Sequence, residues 1–344
     1  MKNRSPLAEL ILWNFREFYR EPEVIFWVFG FPILLAIGLG IAFRNRPPEK
    51  IWVAITEGGE TSTVVAKLKD APGVEVQILP VERAASALRL GKVAVVVIPG
   101  KSYEYRYDPT RPDSLLARTL VDNALQNAAG RQNRVDTQDT LISQPGSRYI
   151  DFLIPGLLGM NLMGGGMWGI GFGLVEMRMK KLLKRLVATP MRRLDLLLSL
   201  VFSRLVFMIA EVVLLLLFGV YAFGMMIQGS WLSIVLVAFI GSLCFSGIGL
   251  LCGSRARKIE TISGLINLVM LPMYVLSGVF FSADRFPAAL QPFIRALPLT
   301  ALNDALRSVI LEGSGLLDQW VRLSIVSAWG AISILLAFRL FKWN

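Results

Sequence analysis

"VIFWVFGFPILLAIGLGIAF", residues 24–43, runs for twenty residues without a charge. As a helix rising 1.5 Å per residue it would be about 30 Å long, the thickness of a bilayer's hydrocarbon core. Five further apolar stretches follow, at 152–175, 199–223, 232–253, 261–281 and 321–339. The chain therefore reads as an α-helical polytopic membrane protein with six transmembrane helices. Composition agrees, since only 18% of the 344 residues are charged, against about a quarter in soluble domains. The first stretch is too long for the core of a signal peptide and no small-residue cleavage site follows it, so it is expected to remain as an anchor.

Lys and Arg in the short connections orient the spans. The 176–198 connection carries seven, 254–260 carries three and 224–231 carries none, while the three at 282–320 are offset by four acids. Basic loops belong on the cytoplasmic side, which puts both termini inside as well. The net charge of +11 is thus a topology signal, and a nucleic-acid partner is not indicated. Residues 44–148 then form one extracytoplasmic insertion, whose length exempts its 15 basic residues from the rule. Three segments look like strands, at 51–55, 74–79 and 93–98, and 103–107 alternates as a further strand would. Helical patterns fall at 61–70 and 82–90 and from Asp113 onward, that last helix with an acidic cap. A small α/β domain fits this order, with a disordered linker as the alternative.

Residues 1–23 hold an amphipathic segment, with Leu7, Leu10, Ile11, Asn14, Phe15 and Phe18 along one side. It reads as a cytoplasmic interfacial helix anchored by Trp13 and Tyr19. "EMRMKKLLKRLVATPMRRLD", 176–195, places Met179, Leu182, Leu183, Leu186 and Val187 on one helical face and cations on the other, and Pro190 ends the helix. Three roles compete for it: contact with anionic lipid, orientation charge alone, or a ridge presented to a cytoplasmic protein. In the second span Gly165, Gly169 and Gly173 recur every four residues, a spacing that lets helices approach closely. Asn161, Asn267 and Glu211 lie at membrane depth, and Glu211 is placed to pair with Arg204 two turns before it. Residues 285–312 are periodic but too short to span, and they read as re-entrant helices at 286–297 and 300–311, divided at Pro298. Cys244 and Cys252 are packing residues, and with no histidine in the chain a metal site or a Ser-His-Asp triad is not expected; no catalytic residue is assigned.

"LLKRLVATPMRRLDLLLS" resembles the loop between the second and third spans of the ABC-2-type permeases, the membrane subunits of ABC exporters with the type V fold. "LPMYVLSGVFFSADRFPAALQPFIRALPLTALNDALRSVILEG" is similar to that family's fifth span and extracytoplasmic re-entrant hairpin. "ALRLGKVAVVVIPG" is like a segment of its daunorubicin- and multidrug-type members, which carry a large domain between the first two spans. Here "IPG" runs straight into "KSYEYRYDP", without the helical insert many relatives have.

The resemblance implies a permease subunit that pairs with a second permease copy, identical or not, and with two cytoplasmic ATPase subunits that bind ATP and Mg2+. It also implies the inner membrane of a bacterium as the location. No G-x-x-x-x-G-K-[ST] phosphate loop occurs in these 344 residues, so no cofactor is expected on this chain. By the same resemblance 177–193 is the coupling helix, with Lys181, Leu182, Leu183, Lys184, Arg185, Leu186, Val187, Pro190 and Arg192 meeting the ATPase. Arg257 and Lys258 would offer a second contact. The expected function is outward export of a hydrophobic or amphipathic molecule, drug or lipid-like. Its pathway is placed near Asn161, Met163, Met167, Asn267, Met270 and Met273, where methionines suit varied apolar surfaces. The competing function is a membrane sensor or scaffold whose outer domain binds a ligand or envelope protein without transport.

Overall fold

The computed structural model describes residues 6–43, 51–69, 71, 73–100, 102–131, 148–182, 185 and 193–340. The chain divides into two compact units, one made of Met1–Arg44 with Ser143–Asn344 and the other of Asn45–Ile142.

In the first unit six helices are long and apolar enough to cross a membrane: Pro22–Ala42, Tyr149–Met179, Leu198–Phe223, Trp231–Arg255, Ile259–Leu276 and Leu317–Leu340. They are called the first to sixth spans below. The second is longer than its apolar run and carries Glu176 and Arg178 on its last turn. The fifth stops at Leu276, short of the expected 281, because Gly278 adopts a left-handed φ of 68° that a helix cannot contain. The second and fourth spans are central, with 78% and 67% of their apolar windows buried, against 17% in the first and 22% in the fifth and sixth.

Lipid is as apolar as a leucine side chain, so helices associate here through close packing. That packing is visible where the second and fourth spans meet. A Cβ on Gly166 would lie 2.6 Å from the Phe245 carbonyl carbon, and one on Gly253 would lie 2.8 Å from the Gly171 oxygen. The contact therefore runs through Gly166 and Gly171, and not through the four-residue series 165, 169, 173. Both ends of the second span are fixed by arginine. Arg148 makes a bidentate pair with Asp151 at 3.0 Å and donates to the Phe223 and Gly224 carbonyls at 2.8 and 3.2 Å, closing the end of the third span. The hydrogen bonds to Asp151 hold its guanidinium above the ordinary pKa.

The opening helix, Pro6–Arg20, lies along the third span. Phe18 stacks on Phe207 at 4.1 Å between centroids, Phe15 tilts against the same ring, and the Asn14 amide donates to Ser203 Oγ at 3.1 Å. After the fifth span, 3-10 turns at Ala283–Arg285 and Ala288–Leu290 precede short helices at Gln291–Ala296 and Pro298–Glu312. The first helix is shorter than the expected 286–297, since Pro292 suits only a first turn. Pro298 opens the second helix, where a missing amide hydrogen costs nothing. That helix is largely buried, and its Arg307 guanidinium stacks on Phe152 at 3.7 Å and donates to the Gly278 carbonyl.

The second unit holds strands β1 (Ile51–Thr56), β2 (Val74–Leu79), β3 (Val95–Ile98) and β4 (Glu104–Tyr107), ordered β2-β1-β3-β4. β1 is parallel to β2 and β3, while β4 runs antiparallel to β3. Period-2 alternation sends Val53, Ile55, Val95 and Val97 to one face, under the helices Thr61–Lys69 and Pro112–Ala128. Ala54 and Val96 face the helix Val81–Arg89 on the other. Asp113 is not the cap of its helix. It sits inside the first turn, paired with Arg111 at 2.5 Å, and that bond lowers its pKa.

Candidate functional site

Two stretches among the described residues wind as π-helix, Phe26–Gly30 in the first span and Gly165–Phe172 in the second. A π turn admits an extra residue and re-aims the side chains around it, and such turns gather at functional sites. Both stretches line one cavity of about 740 Å3, bounded also by the opening helix, the third span and Tyr274 of the fifth. Gly164, Gly165, Gly169 and Gly173 form its floor, Trp168 and Phe172 rise beside them, and Trp27 and Phe31 stand on the first span. A Cβ on Gly169 or Gly173 would meet nothing within 4 Å, so these glycines border open space.

The polar groups of the cavity are held in place from behind. Arg204 is 6% exposed and forms a two-pronged pair with Glu211, which is 1% exposed. Gly165 makes this possible, because a side chain there would collide with the Arg204 guanidinium. The pair is the one expected from their seven-residue separation on one helix. Asn161 also faces the cavity, but its amide donates to the Val28 carbonyl inside the π turn of the first span, at 2.9 Å. At the rim Lys180 binds Glu176 at 2.7 Å, one turn apart, while Glu21 has no ion-pair partner among the described residues.

Below the rim, Arg178 reaches across to the end of the fourth span. One Nη donates to the Gly253 carbonyl at 3.0 Å and to that of Ala256, and the other donates to Ser254 at 3.2 Å. These carbonyls have no partner within their own helix, and a guanidinium fork suits them in both charge and geometry. The two basic connections are thereby joined at their roots. Lys181 then takes a left-handed φ of 56°, which ends the second span's helix. Met179 thus lies on the span and not on one continuous face with Leu182.

Of the residues expected at the coupling helix, Lys181 and Arg185 are exposed, while Leu182 packs against a cluster containing Leu10, Met177 and Leu196. Arg257 and Lys258 are exposed beside the Arg178 clamp. Leu183, Lys184, Leu186, Val187, Pro190 and Arg192 lie outside the described residues. The six expected pathway residues do not form one lining. Met163, Met167, Met270 and Met273 belong to the buried core of the chain, Asn267 is exposed on the fifth span, and only Asn161 reaches the cavity. Sequence reasoning missed the tryptophans of the cavity and the clamp of Arg178, which looks from the sequence like one of seven orientation charges. Among the described residues no cluster of three His, Cys, Asp or Glu side chains could hold a metal.

The family described as ABC-2 family transporter protein matches residues 22–339. ABC transporter G family member 20 of Dictyostelium discoideum is 27% identical over 227 residues, 64% of this chain and 31% of that protein. Inner membrane transport permease YhhJ of Escherichia coli K12 is 22% identical over 50% of this chain and 46% of its own length. The chain thus spans less than half of either relative. Probable multidrug ABC transporter permease YbhS of the same strain is 21% identical over 314 residues, 85% of this chain and 82% of that protein.

Proposed function

The chain belongs to the ABC-2 transporter family, and we propose that it is the membrane-spanning permease of an ATP-driven exporter. A separate ATPase binds ATP and Mg2+ and supplies the work, two ATPase subunits serving two permease copies in the inner membrane. The 45–142 unit lies outside the cytoplasm, residues 285–312 re-enter the membrane from that side, and both termini face inward. The cargo is a hydrophobic or amphipathic molecule taken from the cytoplasm or inner leaflet.

One observation supports this reading above the others. Arg178 ties the foot of the second span to the foot of the fourth, where the two basic connections begin. A push on either connection is shared by the two central spans, whose backbones already touch, and rigid-body motion of packed elements is how such pushes are converted into opening. The test is reconstitution with a cognate ABC ATPase subunit, sought first among the products of neighbouring genes. ATP-dependent accumulation in inverted vesicles is expected, and Arg178→Ala should retain assembly while lowering transported cargo per ATP by about tenfold. A chain that binds no such ATPase, or a variant with full coupling, would overturn the reading.

A further inference from the structure

The sheet of the 45–142 unit ends in β2 on one side and β4 on the other. An edge strand offers unpaired backbone groups to any strand that comes alongside, and proteins often blunt such an edge with proline. Glu104–Tyr107 contains no proline, and among the described residues no further strand pairs with its outer side. Its side chains sort by face. Tyr103, Tyr105 and Tyr107 pack on the side of the helix Pro112–Ala128, where the Tyr105 hydroxyl donates to Asp122 Oδ1 at 3.2 Å. Alternation puts Glu104 and Arg106 on the other face, paired at 2.9 Å with side chains 58% and 52% exposed.

This strand is complementary to its own reverse. Laid antiparallel on a second copy with Tyr105 opposite Tyr105, each Glu104 faces the other copy's Arg106, an opposite-charge pair that stabilises a ladder. A shift of two residues sets Glu104 on Glu104 or Arg106 on Arg106, and a shift of one sets tyrosines against charges. Only the centred register matches. The opposite edge has no such code, since Glu75 meets no cation on a second β2 in any register.

We propose that β4 is where the 45–142 units of two copies of this chain join, as an antiparallel β4–β4 pair centred on Tyr105. The inference rests on the permease reading only for the presence of the second copy. The pair is isologous, as a two-fold dimer requires, because 104 meets 106 and 106 meets 104. Four residues a side fall far below the roughly 1,200 Å2 of a stable interface. The contact therefore depends on the membrane spans to hold the copies at high effective concentration, and its test needs the full chain.

Full-length chains in isolated membranes are oxidised with copper phenanthroline, and dimers are read on non-reducing gels. The wild-type chain, whose Cys244 and Cys252 lie in the fourth span, is the blank. In Tyr105→Cys the two Cα atoms would stand about 4.5–5.5 Å apart, within disulfide reach. Cross-linking should be at least tenfold faster than for Gln77→Cys on the β2 edge or Thr119→Cys on the helix, both exposed positions. If Tyr105→Cys does not fold, Glu104→Cys on one chain and Arg106→Cys on a differently tagged chain should cross-link as readily. Charge supplies an independent reading. Added to Tyr105→Cys, Glu104→Arg alone or Arg106→Glu alone should slow the reaction at least fivefold. Coexpressed, these two variants should recover it between unlike chains, although each has lost its own Glu104–Arg106 pair. Failure to recover would overturn the register. Cross-linking at the β4 positions no faster than at Thr119→Cys, or slower than at Gln77→Cys, would overturn the surface. Capture of a different envelope protein in place of a second copy would overturn the partner. Absent cross-linking in a chain that still exports with ATP would sink this inference and leave the permease reading standing. Cross-linking by a chain with no ATPase partner would do the reverse.

Discussion

Gly166 and Gly171 lie on the side of the second span that meets the fourth, where a Cβ on Gly171 would stand 2.7 Å from the Gly249 carbonyl oxygen. Gly169 and Gly173, around the same helix, meet nothing within 4 Å. One residue type thus serves two purposes in a single span. On the first side the missing side chain lets two backbones touch, and van der Waals contact holds the central pair where no hydrophobic force acts between helices. On the second side the missing side chain leaves space that no described residue of this chain fills. Between the two sides lies Gly165, which borders the cavity but is filled from behind by Arg204. The span is therefore closed on one flank, open on the other, and pinned at one point by a buried ion pair.

Removing the pin should produce the largest effect. Glu211→Ala leaves the Arg204 guanidinium buried without its carboxylate, which costs about 3–5 kcal/mol for comparable buried pairs. Thermal unfolding in detergent should show a clear fall in midpoint, with much less well-dispersed protein recovered. Replacing both partners, Arg204→Met with Glu211→Leu, removes the stranded charge and should recover most of the loss. A double variant as unstable as Glu211→Ala alone would show that the pair matters for more than its own neutrality.

The closed flank comes next. Gly166→Ala puts a methyl 2.6–2.8 Å from the backbone of Phe245 and Ser246. Neither can rotate away, so the two helices must separate, at about 1–3 kcal/mol for overpacking of this kind. The unfolding midpoint should drop measurably. An unchanged midpoint would mean that the second and fourth spans are not in backbone contact.

The two flanks also differ in how far the sequence discloses them. Six long runs of apolar residues marked the six spans to within a few residues, and short apolar or alternating runs marked β1 to β4, because both signals are local. The Arg204–Glu211 pair was equally legible, since seven residues is two turns of one helix. Which glycines touch the fourth span was not legible. The π-helical winding of Gly165–Phe172 shifts the phase of everything after it, and a reading at 3.6 residues per turn assigns the contact to the wrong series. The methionines are hard to read for a related reason. Apolar residues at helical spacing look alike whether they face a core or a cavity, and Met163, Met167, Met270 and Met273 face the core. Arg178 is hidden because its partners are carbonyls 75 and more residues away, and a carbonyl leaves no mark in a sequence.

The smallest effect has the opposite sign, and it separates the flanks most cleanly. Gly169→Ala adds a methyl where nothing lies within 4 Å, so no packing penalty arises. Alanine also loses less backbone freedom than glycine on entering a helix, worth about 0.5–1 kcal/mol. The unfolding midpoint of Gly169→Ala should therefore stay level or rise by a degree or two, while that of Gly166→Ala falls. The same chemical change, three residues apart on one helix, would then move stability in two directions. If Gly169→Ala falls as far as Gly166→Ala, the floor of the cavity is occupied by protein and the open flank does not exist. If it holds, no part of this chain packs on that flank, and glycine there costs the helix stability that alanine would restore.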